Sequence, residues 1–158
     1  MAESAARMSP EFALAAAVET VPVLRGRVTS MQPRKDAAAP FAFYIPTADS
    51  EESALDGPAD LQHFSATLHI VAATFRHLQL LAAKVKQAVT DMRGEIYRTP
   101  AEDEAVGLKG SVLVEYTEIE QSSPDLYEAN VGYYRRMYAI RLDYQTIDVY
   151  EDEEVISG

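Results

Sequence analysis

From Phe64 the chain alternates. Phe64, Ala66, Leu68 and Ile70 are apolar, with Ser65, Thr67 and His69 between them. A two-residue period puts the apolar set on one face of a strand. The period then changes: Phe75, Leu78, Leu81, Ala82, Val85, Ala88, Val89 and Met92 recur at steps of three and four. That spacing is one apolar stripe along a helix of about 18 residues, roughly 27 Å long. Thr74 is placed to cap its amide end, and Lys86 and Arg93 stand near its carbonyl end, where positive charge suits the helix dipole. Gly94 supplies the left-handed conformation that stops a helix.

The flanking segments are shorter. Ser9-Pro10-Glu11 reads as a helix start, with Ser9 as cap and Pro10 at the first helical position, and Phe12, Leu14, Ala15 and Val18 follow as its apolar side. Val23 to Met31 alternates around Gly26 as a strand or hairpin arm, and 33–39 is a loop. Phe41 to Ile45 is a short strand fixed at its ends by Pro40 and Pro46. Residues 47–61 carry five acids, no Lys or Arg, and a Gly57-Pro58 break, which predicts a long exposed loop. After Gly94 come Glu95-Ile96-Tyr97 and a loop, then an alternating strand from Val112 to Glu120 with Val112, Val114 and Tyr116 on one side. Residues 121–132 predict a turn region. The last strand sets Arg136, Tyr138, Ile140, Leu142 and Tyr144 against Met137, Ala139, Arg141 and Asp143.

This order predicts a single α+β domain: a mainly antiparallel sheet of about four to five strands packed by two helices. The domain is expected over 1–145, with the acidic loop at 47–61 and an acidic C-terminal tail at 146–158.

Composition narrows the function. The 158 residues suffice for a core, and the balance of 47% hydrophobic and 25% charged is that of a globular chain. No cysteine is present, which removes disulfides, thiolate-bound zinc and thiol nucleophiles. The Ala-rich run near the N-terminus is too short and too acidic in its flanks for a signal peptide, and no stretch predicts a membrane span. A net charge of −11 argues against holding nucleic acid through its phosphates.

Candidate chemistry is sparse. His63 and His69 share the polar parity of their strand but stand about 20 Å apart, and His77 lies on the following helix. That is not the convergent set of three or four ligands that zinc requires. The carboxylates fall in loop runs, where they read as solvated surface more readily than as a catalytic pair. The chain contains no Gly-x-Ser-x-Gly, phosphate loop or dinucleotide fingerprint. The expectation is a protein without catalytic residues, cofactor or metal.

Two features point to contacts instead. On a helical wheel Leu80 lies nearly opposite the apolar stripe, near Ala83. The two residues either pack under the N-terminal helix or form a subunit contact. Tyr133, Tyr134, Tyr138 and Tyr144 crowd the last strand, which suits either a half-exposed strand or an interface. Arg135, Arg136 and Arg141 are placed to meet a neighbouring copy's acids, which the loop at 47–61 supplies. Leu80, Ala83, Tyr133, Tyr134, Arg135, Arg136 and Arg141 are therefore the candidate subunit-interface residues.

The order of segments over about residues 10–145 resembles the tail-completion or tail-terminator proteins of long-tailed bacteriophages. The resemblance is carried by the opening helix, the strand Pro40-Phe41-Ala42-Phe43-Tyr44-Ile45, and Leu68-His69-Ile70-Val71-Ala72 leading into Leu78 to Met92. It is carried also by the closing segment from Asp125 to Tyr144, an acid and aromatics before an arginine-bearing alternating strand. The acidic loop and tail depart from that pattern. The resemblance implies a virion protein of the tail or neck, assembled in the host cytoplasm as a ring, usually a hexamer, on the head-proximal end of the tail tube. It implies as partners copies of itself, the tail-tube protein and a head-closure or connector protein, with genomic DNA passing through unbound. The alternatives are a head-closure or connector subunit, a bacterial adaptor unrelated to phage, or a small metal-dependent hydrolase.

Overall fold

The computed structural model describes residues 10–33, 35, 37–54, 57–98 and 110–147, with side chains at all of these except 48–54, 57–60 and 121. Helix α1 (Glu11–Val18) leads through a 3-10 turn (Pro22–Leu24) into strand β1 (Val28–Ser30). Strands β2 (Phe41–Ala54) and β3 (Gly57–Ala72) form a long hairpin, followed by helix α2 (Phe75–Thr90). Strands β4 (Ile96–Arg98), β5 (Ser111–Ser122), β6 (Leu126–Glu128) and β7 (Tyr133–Ile147) complete the chain. Among the described residues the sheet has seven strands in the order β1-β2-β3-β7-β5-β4, with β6 also on β7. β1 pairs with β2 in parallel and the other pairs are antiparallel, so the sheet is larger than the expected four to five strands and is mixed.

The predicted strand-then-helix unit forms the centre. Phe64, Ala66, Leu68 and Ile70 of β3 are buried, and across the ladder Leu142, Ile140 and Tyr138 of β7 share their face. Leu78, Leu81, Ala82, Val85, Val89 and Met92 close over that face, together with Leu14 and Val18 of α1. The Thr74 hydroxyl accepts from the His77 amide at 3.1 Å, which is the predicted cap. Gly94 has φ +81°, four residues beyond Thr90 where the helix ends, and its amide donates to the Val114 carbonyl. Phe75 leaves the stripe: it is half-exposed and meets Tyr134 edge-on. The last turn of α2 contains no basic residue. Arg93 instead donates to the Thr117 carbonyl and stacks over Tyr116, so its charge is satisfied on β5 rather than at the helix end.

Four other expectations are corrected. Pro10 itself takes the cap position of α1, without a side-chain hydrogen bond, and Ser9 lies outside the described residues. The strand starting at Phe41 does not stop at Pro46. β1 covers only Ala42 to Tyr44, so at Pro46 the strand has a free edge and the missing amide costs no ladder bond. The predicted loop at 47–61 is for the most part a continuation of the hairpin, with residues 55 and 56 outside the described set. Its residues carry no regular apolar period to betray a strand. Finally, a bulge between Val114 and Tyr116 shifts the parity of β5, leaving Tyr116 exposed and Thr117 buried. The tail after Ile147 lies outside the described residues.

Candidate functional site

Both helices pack on one face of the sheet. On the other, the odd-numbered positions of β3 and β7 meet solvent and a small second cluster of Phe41, Phe43 and Val71, against which Tyr133 packs. Phe43 stacks flat on the His69 ring at 4.5 Å. The Arg135 guanidinium donates to His69 Nδ1 at 3.2 Å and reaches Glu128 at 2.8 Å. An arginine always donates, so Nδ1 is the acceptor and the ring is neutral with its proton on Nε2. Burial, and secondly the Arg135 charge, pull the His69 pKa below its ordinary value of 6.5. Below that pH the unfolded chain therefore binds the proton more readily than the folded one, and stability falls as the solution is acidified. His69→Phe is expected to flatten the pH dependence of the urea midpoint below pH 6.5 relative to the native chain; parallel profiles would refute this.

Further along the same face His63 Nδ1 donates to Asp143 at 2.7 Å, and Arg141 donates to the same carboxylate oxygen at 3.0 Å. Arg141 Nη2 is also 3.3 Å from His63 Nδ1, but two donors make a contact there, not a bond. Asp143 holds the Arg141 pKa above its ordinary value, as Asp125 does for Arg136. His63 and His69 stay six residues apart on β3, each with its own partners. Among the described residues no group of three or more His, Cys, Asp or Glu is arranged to hold a metal ion.

The structure separates the interface candidates. Arg136 points to the helix-side face and forms a two-point pair with Asp125, at 2.6 and 2.9 Å. Arg135 and Arg141 belong to the open face. All three arginines thus take carboxylates from their own chain, where the sequence had suggested a neighbour's acids. Tyr138 and Tyr144 are core residues, and the Tyr138 hydroxyl donates to the Ala82 carbonyl on α2. Tyr133 meets Phe41 edge-on, while Tyr134 lies between Phe75 and Tyr127. Tyr127 is exposed, as are Leu126 and Val131 nearby in the chain. Leu80 does not pack under α1: 52% of it is exposed, Ala83 is exposed too, and Leu80 lines a groove of about 360 Å³ with Val23, Pro40, Ala72, Leu81 and Lys84.

One site had no forerunner in the sequence reading. Arg25, Arg27 and Lys35 line an open concavity of about 470 Å³ at the β1 edge, floored by Ala37, Ala38 and Phe41. Arg27 is held by the Ala38 and Pro40 carbonyls at 2.9 and 3.2 Å. The signal was present: residues 25–35 contain Arg25, Arg27, Arg34 and Lys35 and no acid, in a chain of net charge −11.

The fold and these surfaces can be set beside known proteins. The family described as Tail completion protein gp17 matches residues 6–147. The chain belongs to this family. Its fold is similar to a chain in a structure described as "Virion of native gene transfer agent (GTA) particle", with a TM-score of 0.52 at 16% identity, covering 84% of each chain. No curated protein matches the sequence. Family membership makes this a structural protein of the phage tail, and the described side chains form pairs and packing surfaces that suit such a role.

Proposed function

We propose that the chain is a tail terminator. Copies of it close into a ring, six by the resemblance, on the head-proximal end of the tail tube, stop tube growth and present the surface to which a head-closure or connector protein docks. The match to the tail completion family over residues 6–147 carries this reading. The exposed apolar groups support it: a lone large apolar side chain is ordinary, but Leu80 and Val23 edge the same groove, and Tyr127 packs on Tyr134 while remaining exposed. Leu80, Ala83, Tyr133 and Tyr134 are the contact residues of choice, and Arg135, Arg136 and Arg141 act through the surfaces they hold in place. The acidic balance suits a channel through which DNA slides, since contact with like charge releases no counterions. A channel wall rich in Lys and Arg would refute that part.

Electron microscopy of particles lacking the protein tests the role. Over-long tails without heads are expected. Heads sealed onto tails of normal length would overturn the proposal, and normal-length tails lacking heads would assign the chain to head closure instead.

A further inference from the structure

A closed ring of identical copies is held by two different, complementary patches, one on each side of every copy. Pairing of β3 with β7 ends at Gln62 opposite Tyr144, although β7 runs on to Ile147 beside β5. Among the described residues the hairpin of β2 and β3, outward from Leu61, pairs only with itself and extends beyond the β3–β7 ladder as a two-stranded arm. Asp49, Glu51, Glu52 and Asp60 lie on that arm, and no Lys or Arg does. The basic concavity lies beside Phe41, at the other end of the same strand. Phe41 and Ala54 are separated by roughly 40 Å of extended chain, so the arm cannot fold back to the concavity of its own copy.

We propose that the acidic β2–β3 arm of one copy seats in the Arg25–Arg27–Lys35 concavity of the next, as the head-to-tail contact of the ring. This rests on the terminator reading above. The arginines of β7 are already neutralised within the chain, whereas Arg25 and Lys35 have no side-chain partner among the described residues. Arg27, fixed by two carbonyls, is preset to meet a carboxylate without first being ordered. The contact lies at the rim and is solvated, so it sets direction and register more than total affinity and weakens with salt.

The absence of cysteine makes the test clean. Ala38→Cys and Ser53→Cys introduced together preserve every charge, and a disulfide requires their Cα atoms within about 7 Å, a distance reached only between copies. With purified tail tubes under mild oxidation, a ladder of covalent multimers is expected. Lys35→Glu is expected to weaken ring formation on the tubes about tenfold or more, and Glu52→Lys in the same chain to restore it. A ring that forms on tubes without cross-linking, and regardless of Lys35→Glu, would overturn the arm contact and leave the terminator role standing. Failure of the native chain to cap tubes at all would overturn both. Duplex DNA bound by the native chain and lost with Lys35→Glu, while rings form unchanged, would assign the concavity to nucleic acid and also overturn the contact.

Discussion

Phe64→Ala should lower the free energy of unfolding by about 3–5 kcal/mol, the usual cost of removing a phenyl ring from a close-packed core. Phe64 is 1% exposed and lies on β3, the strand on which β2 and β7 both pair. Its loss leaves a void that the sheet cannot close, because three strands hold the local backbone in register. Urea unfolding followed by circular dichroism measures the change, with Leu80→Ala as the matched control. Leu80 is half-exposed, so its truncation should move stability by no more than about 0.5 kcal/mol. If Leu80 serves assembly, the same substitution should reduce ring formation on tail tubes. Equal destabilisation by the two variants would show that the packing described for α2 is wrong.

Asp125→Ala should cost about 2–3 kcal/mol. The carboxylate accepts two charge-assisted hydrogen bonds from Arg136, and the two side chains are only 16% and 21% exposed. Removing it loses those bonds and leaves a guanidinium with little water to replace them. A double-mutant cycle with Arg136→Met should return a coupling of about 1.5–3 kcal/mol. Arg141, whose side chain is 38% exposed beside Asp143, should lose under about 1 kcal/mol as Arg141→Met, because solvent screens an open pair. A coupling near zero in the first cycle would make the Asp125–Arg136 pair incidental. The consequence would extend beyond stability, since this pair ties the segment before β6 to β7 and so helps position Tyr127 and Tyr134, where copies are proposed to meet.

The comparison of sequence with structure divides along one physical line. Wherever a segment faces the core, burial imposes a period. That is why β3, α2 with its Thr74 cap, and the helix-side parity of β7 could be read from the chain with little error. Where a segment faces no core, the period is absent. The arm beyond Pro46 carries no such period in its sequence and looked like a loop although it is ladder-paired strand. β4 and β6 are three residues each, too short for any pattern, and they enlarged the sheet beyond the expected count, while β1 occupies only Val28 to Ser30 of the strand expected over Val23 to Met31. The bulge in β5 broke an alternation that the sequence could only assume.

Much the same holds for the surfaces. Leu80 could be placed opposite the stripe from spacing alone, but whether α1 covers it depends on where α1 docks, which is a long-range fact. The charge census was likewise available, including the cations at 25–35, but charge carries no address. Only the tertiary structure decided that Asp125, Glu128 and Asp143 neutralise the β7 arginines and that Arg25 and Lys35 are left facing an open concavity. Sequence by itself determined the central strand-and-helix unit, the absence of thiol chemistry and the acidic balance, because each is local or additive. The partners of the charges, the extent of the sheet and the opposite placement of arm and concavity depend on pairings between residues far apart in the chain, and folding alone supplies them.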